Sequence, residues 1–358
     1  MKPTEQLHNL GQSIWLDNIT RDLLTSGTLQ RYIDELSVTG LTSNPSIFDQ
    51  AISRSQAYDA EVNNLVRAGK KGEALFFELA IQDLTRAADM FVQIHKKTAG
   101  VDGWVSLEVS PLLAHDTAET VKQARALHEK ANRPNLFIKI PGTLEGLPAI
   151  EEAIFSGVPI NVTLLFSRGD YIRAADAYMR GLERRVASGL DLDVRSVASV
   201  FVSRWDTATL DKVPADLRDK LGIAVSQQTY KAYRDLLDSD RWQRLEGYGA
   251  RPQRLLFAST STKDPEASDV LYISALAAPN TVNTMPEKTL LAFGQHGAVD
   301  RAMSRDGGDA EQVLVAITRA GVATSVLARQ LQNEGAKGFV DSWKGLLAAI
   351  ETKSKTLR

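Results

Sequence analysis

An α/β chain closed into a (β/α)8 TIM barrel with additional helices is the fold class this sequence predicts, and three observations carry it. Eight short apolar segments end in small or polar residues. Stretches with helical periodicity lie between most of them. The 358 residues, 43% of them hydrophobic, supply a core large enough for one big barrel or for two ordinary domains. Strand, helix, strand, repeated eight times, is the order of a closed barrel. An open doubly wound sheet is the rival, since separate strand and helix assignments do not prove closure. No low-complexity linker divides the chain, so residues 1–358 read as a single barrel domain.

In chain order the strand candidates are SIWLDN, TGLTSNP, DGWVSLEVSP, NLFIKIPGT, VPINVTLLFS, SVASVFVSR, RLLFAST and NTVNTMP. ETVKQARALHEKA precedes the fourth and GDYIRAADAYMRGLERRVAS the sixth, both with helical spacing. The uneven intervals call for extra helices: several near 50–100, and an amphipathic run, GIAVSQQTYKAYRDLLDSDRWQRL, within 206–250. A helical extension is expected over about 306–358. Its segment GFVDSWKGLLAAI can align Phe339, Trp343, Leu346, Leu347 and Ile350 in one apolar stripe, bound for the barrel mouth of its own subunit or for a surface elsewhere.

Composition narrows the chemistry. Forty-two basic and 44 acidic residues leave a net charge of -2, so no overall field recruits nucleic acid or an anionic membrane, although a local basic pocket for a small phosphate stays open. The absence of cysteine removes disulfides, thiolate metal sites and cysteine nucleophiles. His8, His95, His115, His128 and His296 are scattered, without metal-binding spacing. Neither GxGxxG nor GxxxxGK[ST] occurs, so no cofactor and no metal are expected. The N-terminus lacks a signal-peptide pattern and no run of about 18 apolar residues occurs, so a cytoplasmic location without a membrane partner is the expectation.

Lys139 stands inside the apolar run of NLFIKIPGT. Alternation puts Phe137 and Lys139 on one face and Ile138 and Ile140 on the other. If the isoleucines pack outward, Lys139 points into the barrel near its C-terminal end, where barrel enzymes place their chemistry. Snorkelling to solvent, or pairing with a structural carboxylate, fits this strand equally well. The other strand ends add weight to a site: Asp17, Asn44, Glu108, the same-face pair Asn161 and Thr163, and the set Ser199, Phe201 and Ser203. Asp17 or Asn44 alone also suits a helix cap.

A lysine partly withdrawn from water has its charged form disfavoured, and the neutral amine attacks a carbonyl. With no cofactor, that amine makes a Schiff base with a ketose, and the iminium draws electrons from the adjacent carbon–carbon bond. Asp17 and Glu108 are the carboxylates available for proton transfer, either as a pair or with Glu108 and Thr163 holding a water while Asp17 serves a substrate hydroxyl. Asn44 and Asn161 suit uncharged contacts to hydroxyls. For a phosphate, Arg204, Ser259 and Lys263 follow the sixth and seventh strands, although Arg204-Trp205-Asp206 also reads as a surface salt bridge.

These motifs together resemble the transaldolase family, in its longer bacterial branch. WLDN, GLTSNPSIF, SLEVSP, FIKIPGT, NVTLLFS, SVFVSR and FASTSTKDP occur in family order over roughly residues 12–285. The resemblance implies a class I enzyme that moves a dihydroxyacetone unit from fructose 6-phosphate or sedoheptulose 7-phosphate to an aldose phosphate (glyceraldehyde 3-phosphate or erythrose 4-phosphate) in the pentose phosphate pathway. It makes Lys139 the Schiff-base nucleophile, Glu108 and Thr163 the pair orienting the catalytic water, and Asp17 the acid/base. It gives Asn44 and Asn161 to the dihydroxyacetone moiety, Ser199 and Phe201 to the pocket wall, and Arg204 to the phosphate. Many family members carry a second arginine shortly after the position of Ser259; here Lys263 stands in the segment, with charge but without bidentate geometry. Sugar phosphates are the expected partners, and the oligomeric state is left open. The rival functions are a fructose 6-phosphate aldolase, which releases dihydroxyacetone, and a sugar-phosphate-binding barrel without catalysis. A metal-dependent aldolase has no histidine cluster to hold its ion.

Overall fold

Eight parallel strands pair in sequence order, and the last closes onto the first. The computed structural model describes residues 1–356. The strands are β1 (Gln12–Asp17), β2 (Val38–Thr42), β3 (Trp104–Glu108), β4 (Leu136–Pro141), β5 (Ile160–Leu165), β6 (Ser196–Phe201), β7 (Gln253–Ala258) and β8 (Thr281–Met285). Each falls on one of the eight segments expected from sequence, with β1, β2 and β7 starting one residue earlier. The pairing of Leu16 with Met285 across β1 and β8 decides for the closed barrel over the open sheet.

A short helix, α1 (Pro3–Asn9), precedes the barrel; α2 (Arg21–Thr25) and α3 (Thr28–Leu36) follow β1. Three helices follow β2: α4 (Pro45–Arg54), α5 (Asp59–Arg67) and α6 (Gly72–Lys97). Single helices follow the next three strands: α7 (Thr117–Ala131), α8 (Gly146–Phe155) and α9 (Arg168–Ala187). After β6 come α10 (Ser203–Thr209), α11 (Leu221–Leu237) and α12 (Asp240–Gly247), and after β7 comes α13 (Leu271–Ala275). The chain then runs through α14 (Glu287–His296), α15 (Ala310–Arg319) and α16 (Thr324–Thr356).

Strand alternation divides the apolar residues into two cores. Ile138 and Ile140 face outward with the helix-packed cluster. Phe137 faces inward with Trp15, Trp104, Val197, Leu256 and Val282, and stacks on Trp104 at 4.0 Å between ring centroids. Large rings inside a barrel need small neighbours. Gly40 provides one, since a Cβ there would come within 2.6 Å of the Trp15 indole nitrogen.

The C-terminal stripe forms as the spacing predicts. Phe339, Trp343, Leu346 and Ile350 are buried, with Leu347 partly so. Trp343 meets Phe76 of α6 edge-on at 4.8 Å. Of its two possible destinations, α16 takes the mouth of its own barrel: Gln332 donates to the Leu164 carbonyl at 2.9 Å, and Phe339 joins the interior cluster. Helices α15 and α16 meet at 92°. Among the described residues no single helix is long and apolar enough to cross a membrane.

Candidate active site

Chain geometry carries Lys139 inward. It lies on the face shared with Phe137, and its side chain is 7% exposed. The register sets Glu108 beside Lys139 and Lys139 beside Asn161, so three adjacent strands present polar groups at one level of the barrel. Lys139 Nζ lies 3.4 Å from Glu108 Oε2 and donates to the Ser43 carbonyl at 3.2 Å. The aromatic face of Phe339, reaching down from α16, has its centroid 5.8 Å from the same nitrogen.

A cavity of about 390 Å³ opens above Lys139 at the C-terminal ends of the strands. Asp17, Asn44, Lys139, Thr163, Ser199, Phe201, Arg204, Ser259 and Lys263 line it, nine of the eleven residues expected from sequence. The other two adjoin it. Glu108 flanks Lys139, while Asn161 accepts from Ser199 at 2.7 Å and donates to Ser106 at 3.1 Å.

Several local readings are settled by these contacts. Asn44 is a helix cap as well as a cavity residue: its Oδ1 accepts the Ile47 N–H at 3.1 Å at the start of α4, leaving its amide nitrogen for other partners. Asp17 caps nothing, because Thr20 caps α2; instead it accepts from Thr42 at 2.8 Å. The salt-bridge reading of Arg204-Trp205-Asp206 fails. Trp205 and Asp206 are buried, and the Asp206 carboxylate accepts the Leu221 and Gly222 N–H groups and the Tyr272 hydroxyl. Arg204 has no hydrogen-bond acceptor among the described residues and leans over the Phe201 ring at 5.5 Å. Burial draws its pKa down and Glu334 opposes that, but an arginine stays cationic in either case. Lys263 is exposed at the cavity rim and donates to Ser261 at 2.7 Å.

Electrostatics separate the two carboxyl groups from ordinary surface acids. Burial raises the Asp17 pKa, against the Lys139 charge and the Thr42 hydrogen bond. It raises that of Glu108 too, against Lys139, with Asp17 adding to the rise. Glu108 Oε1 and the Thr163 hydroxyl are buried without a hydrogen-bond partner among the described residues, and Glu108 Oε2 has only the Lys139 ammonium at 3.4 Å. Such groups are costly to leave unsatisfied and point to an unmet polar role.

The sequence match completes the assignment. The family model described as transaldolase/fructose-6-phosphate aldolase matches residues 14–350. The chain belongs to this family. A transaldolase of Renibacterium salmoninarum is 44% identical over 357 residues, covering 97% of this chain and 96% of the relative. A transaldolase of Mycolicibacterium smegmatis is 44% identical over 350 residues, covering 95% and 94%. One from Trichodesmium erythraeum is 39% identical over 370 residues, covering 98% and 97%.

Sequence reasoning passed over nine of the lining residues, Thr42, Thr284 and Phe339 among them. Thr42 has the inward parity of Gly40, and Thr284 that of Val282, so alternation carried a usable signal for both. Phe339 carried none beyond its place in an apolar stripe, because a helical period does not say which surface the stripe meets.

Proposed function

We propose that this chain is a class I transaldolase, moving a dihydroxyacetone unit between sugar phosphates through a Schiff base on Lys139. The observation that carries the reading is buried Lys139 and Glu108, with part-buried Asp17, beneath a cavity whose rim holds Arg204 and Lys263. Arg204 and Lys263 bind the phosphate of the ketose donor and lay its carbonyl carbon over Nζ. The amine attacks that carbon, and Glu108, 3.4 Å away, relays protons through a water held with Thr163 as the hydroxyl leaves and the iminium forms. Asp17 then takes the proton of the substrate hydroxyl. The carbon–carbon bond breaks, its electron pair passes to the iminium, and an aldose phosphate departs. Asn44 and Asn161 hold the three-carbon enamine, with Ser199 and Phe201 as the wall. An incoming aldose phosphate accepts the enamine carbon, Asp17 returns the proton, and water releases the new ketose.

The catalytic unit is a single barrel domain running through α16. Burial of Lys139 under Phe339 supports transfer over hydrolytic release, because a covered enamine meets an acceptor before bulk water. The test is incubation with fructose 6-phosphate and borohydride, followed by peptide mass analysis with and without erythrose 4-phosphate. A three-carbon adduct on Lys139 that discharges to the acceptor is expected. An adduct on another lysine, or none during turnover, refutes the site. Rapid free dihydroxyacetone with acceptor present favours the aldolase reaction.

A further inference from the structure

A second cavity, of about 700 Å³, lies between the starts of α9 and α16. Four arginines line it, Arg168, Arg173, Arg319 and Arg329, against two carboxylates that are already engaged. Asp170 takes Arg173 at 2.5 Å and the Phe166 and Ser167 N–H groups, and Glu311 accepts from Gln228 at 2.7 Å. Arg168, Arg319 and Arg329 have no ion-pair or hydrogen-bond partner among the described residues.

Two long helices also aim their positive ends here. On α9, 20 residues long, the Ser167–Asp170 capping box satisfies the Asp170 N–H and leaves those of Arg168 and Gly169 without acceptors. On α16, 33 residues long, the preceding Ala323 has no side chain that can cap, and the Thr324 and Ser325 N–H groups are likewise free. Trp205 closes the inner wall at 1% exposure, and its indole N–H has no acceptor among the described residues. None of these arginines lines the catalytic cavity.

We propose that this cavity is a second anion site for a phosphate-class oxyanion, either free phosphate or the phosphate of a metabolite, and that its occupancy steadies α16 over the barrel mouth. Planar guanidinium forks match phosphate oxygens, and helix starts add N–H donors and positive potential. The volume suits an anion carrying a small carbon skeleton. The link to α16 is direct: Ala328 of the cavity wall sits one turn before Gln332, which ties that helix to the Leu164 carbonyl.

Hydrogen exchange read by mass spectrometry on the full chain tests this, with inorganic phosphate and glucose 6-phosphate as separate probes. Slower exchange is expected at residues 166–171 and 322–328, reaching 332–343 along α16. Calorimetric phosphate affinity at this site should fall at least about tenfold in Arg319→Ala/Arg329→Ala, together with the protection, while Arg204→Ala keeps both. Stronger protection by inorganic phosphate supports a free-anion site, and stronger protection by glucose 6-phosphate supports a metabolite site. No protection by either probe, or equal protection in the double variant, overturns the proposal. Protection confined to the helix starts overturns the steadying of α16. The readout does not pass through Lys139, so failure here and failure of the Schiff-base reading are separate results.

Discussion

Replacing Glu108 by Gln removes a buried charge and a proton acceptor while preserving side-chain volume. At 3.4 Å from Lys139 Nζ, the carboxylate feels a gross attraction of about 5 kcal/mol at an effective dielectric of about 20. Yet burial outweighs that attraction, since the Glu108 pKa is raised and not lowered. Because the variant keeps Lys139 and removes only its partner, it leaves the ammonium buried without a counter-ion, so it should also lose up to about 3–5 kcal/mol in urea unfolding. Chemistry should suffer as well. An amide neither accepts nor returns the proton passed during formation of the iminium, and general acid/base groups contribute about 10²–10⁴-fold. The expected result is a fall in kcat of that size for fructose 6-phosphate with erythrose 4-phosphate, KM little changed, and slower borohydride trapping on Lys139. Glu108→Gln within about threefold of the parent kcat would sink the assignment of proton relay to Glu108.

Arg204→Ala should raise KM for phosphorylated donors about 10–150-fold, the loss of one charge-assisted hydrogen bond or two, while leaving unphosphorylated fructose turnover almost untouched; parallel kinetics with both donors decide it. Trp343→Ala should cost about 3–5 kcal/mol in urea unfolding, because its ring is fully buried against Phe76, and should hasten exchange along α16. The Asp206 carboxyl, pushed up to about 6 by burial against the Tyr272 and Gly222 hydrogen bonds, binds its proton more tightly folded than unfolded. Its contribution is therefore full below pH 3.8 and is lost as pH rises through about 6, at most about 3 kcal/mol. Unfolding titrations of the parent and Asp206→Asn should differ in slope across that window.

Much of the barrel was written in local pattern. The apolar run around Lys139 carried its own parity, and the isoleucines on either side told which way the lysine turns once an interior exists. Closure was not local: nothing in NTVNTMP announces that β8 bonds to β1, a contact spanning the whole barrel sequence. The end of β5 is a second limit. Leu164 adopts φ of 59°, which breaks the alternation, turns Leu165 outward and puts Leu164 in the interior cluster. NVTLLFS contains no glycine to mark that break, so its physical cause is tertiary packing and not residue preference. Phe339 shows the same limit at longer range. Its stripe is legible from spacing, but the destinations are not: Trp343 packs on Phe76 of α6, while Phe339 meets a cavity lined from seven separate strands.

The seat of α16 has a consequence in time. Every strand of the barrel precedes Phe339 in the chain, so a nascent polypeptide can assemble Lys139, Glu108 and Asp17 before the ring that covers them has been made. During that interval Lys139 stands open to water and to stray aldehydes. Covering it waits until α16 has been made, and a chain interrupted before residue 339 leaves the Lys139 amine without its roof.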